Sequence, residues 1–445
     1  MLSYFRKDKA KRRRLNLFHL WLFVCACLIV IICTTTVEWR LVNMRYLSRH
    51  IVKELGFVGY LTNELTEFAK RTIEEFTLST RDTKSFREYM EQVHEANRGS
   101  QAPSTSGQAK HLVYIQMESV DGLSIESTLE GMPLMPFLYV LRKESTYFPH
   151  TIDNTSSGRT TDGELLTLTS LPSIYGQPAF QNFDLSKVPS LPRVFNDAGY
   201  YTFSIHGYKG SFWNRAAAHS QLGFQDSFFR PDLIDDEIIG WGISDESILN
   251  QAAEKIVASD LPTFAHIILL TNHHPYRHVA KRNGKKPGDI VLDHIASLRY
   301  MDSSIQSFFE KLDEQGILEN SIVAIYGDHD SAIRRQIAER TKPDFKQVVK
   351  DKVPLLIYGL NEPPKTVEKL ASLQDLPVIA LQELGLLIPS SFTGNALHSI
   401  RPVLEHKNRL LSIDAGEVKQ EQTPFDTSLF TKMAILHPER MQPTK

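Results

Sequence analysis

From His111 onward, short apolar, β-branched or aromatic runs alternate with longer stretches whose apolar residues recur every three or four positions. The short runs read as strands: His111–Met117, Tyr201–Ile205, Thr263–Leu270, Ser321–Tyr326 and Val353–Tyr358. The longer ones, Leu191–Ala198, Asp245–Ala258, Ile290–Gln315 and Leu373–Leu384, read as helices. This alternation predicts an α/β domain over 111–395, with a largely parallel central sheet flanked by helices on both faces. Upstream the period changes. Ile51, Leu55, Val58, Leu61, Leu65 and Phe68 follow one another by threes and fours, so 38–96 is expected to form a helical juxtamembrane stalk. That stalk would pack on the body or on a second copy, and Gly56 and Gly59 weaken it locally. Asn97 to Lys110, "NRGSQAPSTSGQAK", is a polar linker. Beyond about Ser399 the pattern loses regularity and ends in a polar tail, so 396–445 is set apart as a C-terminal extension.

Leu15 to Val37 contains no Asp, Glu, Lys or Arg over 23 residues, long enough to cross a bilayer with some tilt. Residues 1–14 before it carry seven basic side chains against one acid. That cluster is expected to stay in the cytoplasm and to place everything after Trp39 outside. The expectation is a single-pass protein of the cell membrane with a periplasmic or extracellular body. A cleaved signal peptide is the alternative; the length of the run and the lack of an A-x-A-like site after it favour an uncleaved anchor.

The net charge of −2 conceals +6 on the basic tip and −8 on the remainder. A mildly acidic body argues against nucleic acid as the main partner. With 42% hydrophobic and 23% charged residues, the chain has the composition of a globular protein rather than a disordered one. All three cysteines (Cys25, Cys27, Cys33) lie in the apolar run. Disulfides, thiol nucleophiles and zinc–thiolate sites are thereby excluded from the body. Nothing in the pattern indicates an oligomeric state.

The reactive side chains gather where the strands end. "HLVYIQM" is followed by Glu118, "YTFSI" by His206, "TFAHIILL" by Thr271, Asn272, His273 and His274, and "SIVAIY" by Gly327, Asp328 and His329. Taken singly, each reads as a helix cap or a turn. Ligands of open α/β sheets bind at the carboxyl ends of the strands, so four strands deliver these groups to one edge. Glu118, Asp328 and His329 offer two carboxylates and an imidazole, which suit Mg2+ or Mn2+ and would also take Zn2+. A hydroxyl as fourth ligand would be acidified by the metal. The loop "SSGRTTDGE", Ser156 to Glu164, presents two adjacent threonines at the start of an apolar, helix-like run. A helix N-terminus there favours an alkoxide and an attached phosphate, with Asp162 and Glu164 supporting the helix start.

Glu118 after a strand, "SGRTTDGE", "HGYKGSFWNR", "TNHHPY" and "YGDHD" occur in the order that resembles lipoteichoic acid synthase-like phosphoglycerol transferases of the sulfatase and alkaline phosphatase superfamily. The similarity runs from about Val113 to Leu386. It implies a sulfatase-like catalytic domain with Thr160 as nucleophile, and Thr161 in the family's small-hydroxyl position. It also implies one metal, usually Mn2+ or Mg2+, held by Glu118, Thr160, Asp328 and His329. Trp213, Arg215 and His273 fall where the family contacts the phosphoglycerol, and His206 is a further candidate contact. Arg215 is of the right type to hold a phosphate bidentately, and His273 to protonate a leaving alkoxide; His274 is expected to be structural.

The implied reaction moves phosphoglycerol from a phosphatidylglycerol-type lipid to a glycan or glycolipid acceptor through a phospho-threonine intermediate. Phosphodiester or sulfate-ester hydrolysis is the alternative. Sulfatases proper need a C/S-x-P-x-R element, and "SLPR" at Ser190 has the wrong spacing. The family usually carries several membrane spans where this sequence shows one. Arg159 stands where lysine is common.

Overall fold

The computed structural model describes residues 111–341 and 351–399 almost without interruption, with further positions between 52 and 97 and between 404 and 438. Eight strands form the central sheet: β1 (His111–Met117), β2 (Thr146–Tyr147), β3 (Tyr201–His206), β4 (Asp226–Phe228), β5 (Thr263–Ile268), β6 (Ser321–Gly327), β7 (Leu355–Tyr358) and β8 (Lys365–Thr366). Their spatial order is β8-β2-β7-β6-β1-β5-β3-β4. The run from β6 through β1, β5 and β3 to β4 is parallel, while β7 joins β6 antiparallel. The largely parallel α/β sheet is therefore present.

Every residue of β5 and β6, and all of β1 but His111, is buried. Successive side chains of a strand point to opposite faces, so burial at consecutive positions means both faces are covered. Each such Ile, Leu or Val contributes about 1.5–3 kcal/mol relative to exposure. Ile290–Glu314 forms the long cover helix; its Ile295, Leu298, Met301, Ile305, Phe308 and Leu312 are all buried at three- and four-residue spacing. Asp289 begins it by accepting the backbone N–H of Val291 and Leu292.

Two strand boundaries differ from the sequence reading. The run at Thr263 ends as a strand at Ile268, short of the expected Leu270. The run Val353–Tyr358 is divided by Pro354, which has no N–H to give a ladder: Lys352–Val353 pairs with Thr151–Ile152, and only β7 joins the main sheet. The C-terminal region also needs correction. It is regular, with three antiparallel strands, Leu404–His406, Arg409–Asp414 and Glu417–Gln422, followed by a helix at Thr427–Leu436. Phe430 and Met433 of that helix are buried, Phe430 meets Tyr89 edge-on, and Thr431 donates to the Pro172 carbonyl. The apolar "FTKMAIL" was the overlooked signal.

The chain divides into two compact units, Met1–Arg81 and Asp82–Lys445. In the first, the described positions between 52 and 73 are helical, with Leu61 and Leu65 exposed. In the second, Asn97 donates to Gly394 O and accepts from Ala396 N, so the start of the expected linker is held against the body. The span expected over 15–37 lies outside the described residues. Among the described residues no helix is long and apolar enough to cross a membrane.

His294, on the long helix, is fully buried against the Tyr276 ring, and neither imidazole nitrogen has a hydrogen-bond partner. Burial lowers its pKa from 6.5 to about 3. The unfolded chain takes up that proton first, so this group withdraws stability as pH falls from 6.5 toward 3. His294→Phe is expected to add about 1–3 kcal/mol at neutral pH, with a larger gain in acid. Denaturant melts at about pH 7.5 and about pH 5 check this; a gain that does not grow in acid overturns it.

Candidate active site

Strand register builds the site. β1 lies between β5 and β6, with Gln116 opposite Ile268 and Met117 opposite Gly327; Ile268 in turn faces His206 of β3. The residues that follow, Glu118 and Asp328, therefore emerge side by side. Ser119 occupies the left-handed region (φ 55°), which turns the chain sharply after Glu118. Its hydroxyl donates to Glu118 Oε1 at 2.6 Å and its N–H to Asp328 Oδ1 at 2.8 Å. Asn272, just past β5, donates its side-chain amide to the Glu118 carbonyl. His329 Nε2 lies 3.6 Å from both Glu118 Oε1 and Asp328 Oδ2.

Helix α1, Thr160–Thr169, brings in the hydroxyl. Asp162 turns back so that its carboxylate accepts the N–H of Ser156 and of Gly158, each at 2.9 Å, and thus ties down the loop before the helix. A Cβ on Gly158 would fall 2.2 Å from Asp162 Oδ1, so only glycine fits this loop. Arg159 is held at positive φ, and its Nη2 donates to the carbonyl and the carboxylate of Asp330. Thr161 is buried with its hydroxyl on Gly158 O, whereas Thr160 keeps partial exposure and reaches Glu118 Oε2 at 3.3 Å. Gln116 donates to the Thr160 carbonyl. The two threonines are not equivalent, and Thr160 is the one that faces the carboxylates.

The charges are unbalanced. Burial, then the neighbouring Glu118, pushes the Asp328 carboxyl well above the usual carboxylate range. Burial also raises Glu118, but His329, His273 and the hydroxyls of Ser119 and Thr160 outweigh it and hold Glu118 below its ordinary value. Burial and Arg159 lower His329 to about 4, so its imidazole is neutral; Nδ1 lies 3.0 Å from both the Asp330 carbonyl and Arg159 Nη2, and in the tautomer that donates Nδ1–H to the carbonyl Nε2 offers a lone pair. Asp328 Oδ2 is buried with no hydrogen-bond partner. The donor atoms of Glu118, Asp328 and His329 all lie within 4.8 Å of one another. Two close carboxylates, one with an orphaned oxygen, and an imidazole form a donor set that suits a divalent cation. A second acidic group, Asp153, Asp330 and Asp351, has comparable spacing, but Arg159 and Arg334 already pair with its Asp330.

The expected contact residues have different surroundings. His206 is buried at the end of β3; its Nδ1–H donates to Ile268 O, and burial followed by Arg215 lowers its pKa to about 3. His273 is half-buried, donates Nδ1–H to the His274 carbonyl and packs on Trp241 with ring centroids 4.2 Å apart. Trp213 connects to it through Phe212 and Trp241, ring by ring. His274 is exposed. Arg215 is only 1% exposed, and its Nε and Nη2 are both taken by Glu164. The fork expected to clamp a phosphate bidentately is thus occupied, and Nη1 alone has no partner. Glu164 likewise does not serve the helix start; it turns inward. Sequence reasoning missed Ser119, Trp241 and His219, left Asn272 without a role and gave Glu164 only a place in the helix start.

A helix start that presents a hydroxyl to a cluster of two carboxylates and an imidazole, at the carboxyl ends of a largely parallel sheet, is the arrangement of an alkaline phosphatase/sulfatase-like α/β fold. The chain belongs to the sulfatase family, whose model matches residues 110–386. It is 29% identical over 338 residues to lipoteichoic acid synthase 1 of Bacillus subtilis (strain 168), covering 72% of this chain and 52% of that protein. With lipoteichoic acid synthase of Staphylococcus aureus (strain USA300) it shares 29% over 255 residues, 53% of this chain and 39% of the relative. The chain thus spans about half the length, or less, of these curated relatives. Among solved structures, the lipoteichoic acid synthase LtaP from Listeria monocytogenes shares the fold, with TM-score 0.63 and 18% identity over 79% of this chain and 97% of that one. Streptococcus pyogenes phosphoglycerol transferase GacH in complex with sn-glycerol-1-phosphate also shares the fold, with TM-score 0.53 and 15% identity over 71% of this chain and 85% of that one.

Proposed function

We propose that this protein is a membrane-anchored, metal-dependent phosphoglycerol transferase, taking its group from a phosphatidylglycerol-type lipid and passing it to a glycan or glycolipid of the cell envelope. The observation that carries the reading is the Thr160 hydroxyl, 3.3 Å from Glu118 at the edge of the Glu118–Asp328–His329 set. The names of the curated relatives support the same chemistry. Mn2+ or Mg2+ held by Glu118, Asp328, His329 and Thr160 would favour the alkoxide and offset charge on the phosphoryl oxygens.

Thr160 Oγ1, its proton released to solvent, forms a bond to phosphorus as the bond to the diacylglycerol oxygen breaks, and that oxygen takes a proton from His273. In the second displacement the acceptor hydroxyl gives up its proton to His273 and attacks phosphorus, and Thr160 leaves. His206, neutral with Nδ1–H engaged, offers Nε2 only as an acceptor, while Arg215 Nη1 offers only a donor. A hydroxyl can both give and accept, so this pair suits a glycerol hydroxyl better than a phosphate oxygen, which cannot donate. Trp213 would pack against the carbon chain of the glycerol.

The test uses the full chain with glycerol-labelled phosphatidylglycerol and Mn2+, followed by mass spectrometry. The expected result is a phosphoglycerol adduct on the peptide containing Thr160 and label transferred to an acceptor glycolipid. Free glycerol phosphate as the sole labelled product would overturn the transferase assignment in favour of a hydrolase.

A further inference from the structure

Glu164 sits four residues beyond Thr160 on α1, on the same helix face one turn below it. It is fully buried. Its Oε1 accepts Arg215 Nε at 2.9 Å and Nη2 at 2.8 Å; its Oε2 accepts Arg215 Nε at 3.0 Å and His219 Nε2 at 2.7 Å. His219 is itself held by the Ser204 hydroxyl at 2.7 Å. Both carboxylate oxygens are therefore spoken for, and the guanidinium is gripped along one edge.

Dehydrating a carboxylate and a guanidinium costs several kcal/mol per ion, so a buried pair is weak evidence of stabilisation by itself. The remaining nitrogen makes a purely structural reading less adequate still. Nη1 of Arg215 is buried with no hydrogen-bond partner, and an unmet donor of this kind adds about 1–3 kcal/mol of cost unless something from outside completes it. After burial, the Arg215 charge helps keep the His206 imidazole, at the end of β3, neutral. The chain entering Arg215 is also constrained: Trp213 and Asn214 both sit at φ 58°, an uncommon conformation for residues other than glycine. Helix Arg215–Leu222 therefore starts at a point dictated by more than helix propensity.

We infer that Glu164 is a positioning residue: through the edge of Arg215 it fixes the direction of Nη1 relative to the helix that carries Thr160, so that the glycerol end of the substrate and the nucleophile are aligned by one rigid element. This inference rests on the phosphoglycerol reading above. Because Thr160 and Glu164 share one helical turn, any shift of α1 moves both the nucleophile and the clamp on Arg215 together. Glu164 touches no reacting atom; its effect passes through Arg215.

Calorimetry on the Mn2+-loaded full chain tests this with glycerol phosphate and methyl phosphate as probes, which share the phosphate and differ in the hydroxyls. Wild type is expected to bind glycerol phosphate more tightly. In Glu164→Gln the affinity for glycerol phosphate should fall about 10²-fold, the cost of a misplaced contact, while methyl phosphate binding and Mn2+ affinity stay as in wild type. Glu164→Asp retains the charge but retracts it by one methylene, and about a tenfold loss of the same selective kind is expected. It carries the test should Glu164→Gln fail to fold. Equal losses for both probes, or a preference for glycerol phosphate undiminished in the variants, overturn the positioning role. A wild type with no preference overturns the phosphoglycerol reading instead, so the two failures are distinguishable.

Discussion

Thr160→Ala is expected to lower phosphoglycerol transfer by about 10⁴–10⁶-fold, the loss seen when the nucleophile of a covalent mechanism is removed. The folded protein should hardly notice. Thr160 Oγ1 makes a single long hydrogen bond, 3.3 Å to Glu118 Oε2, and the side chain is only partly buried, so the change in stability should stay within about 1 kcal/mol. Thr160→Ser keeps the hydroxyl at the same helix start and should retain turnover within about tenfold, the loss arising from a freer rotamer. Thr161→Ala is the internal control. Its hydroxyl is spent on Gly158 O, 3.1 Å away, and it points to no carboxylate. Steady-state transfer of labelled donor and detection of the adduct separate these cases. Full transfer by Thr160→Ala would end the covalent mechanism for any acceptor.

Asp328→Asn is expected to have opposite effects on activity and on the stability of the metal-free protein. Asp328 Oδ2 is buried without a partner, and burial together with Glu118 pushes the carboxyl far above its ordinary range. An amide removes the like-charge repulsion and leaves the N–H of Ser119 and of His329 an oxygen to donate to. The metal-free variant should thus gain about 1–3 kcal/mol over wild type. Its response to Mn2+ should vanish. A ligand at a hundred times its dissociation constant raises wild-type stability by about 2.7 kcal/mol, and that increment is what Asp328→Asn should lose, along with turnover. Melting curves with and without Mn2+, after chelation, report all of this without an activity assay. A variant that still gains the full Mn2+ increment would remove Asp328 from the cation set.

The sequence was most informative where chemistry follows local period. Strands with continuous apolar runs had to be covered on both faces, and residues just past their carboxyl ends had to share one edge. Glu118, His206, His273, Asp328 and His329 could be assembled on that basis, as could the hydroxyl loop before an apolar helix. Reading failed where a residue's partner lies far along the chain. Glu164 looks like a first-turn acid that favours a helix N-terminus, and only Arg215 and His219, more than fifty residues later, turn it inward. Arg215 looks like an exposed phosphate clamp for the same reason. Trp241 carries no sequence signal at all, because its importance lies in its tilted contact with the distant His273 ring. The C-terminal helix is a short apolar run after a polar stretch, and its burial depends on Pro172 and Tyr89 being there to receive it.

By itself, then, the sequence determined which side chains reach the carboxyl edge of the sheet, because strand period and strand ends are local properties of the chain. The tertiary structure decided what those side chains do to one another. Register between β1 and β6 places two buried carboxylates together, and one of them is left with an orphaned oxygen. Arg215 and His219 turn Glu164 inward, while on the same helix Thr160 faces Glu118 and Thr161 bonds back to Gly158. Charge repulsion and desolvation act through space, and no local pattern encodes the distances on which they depend.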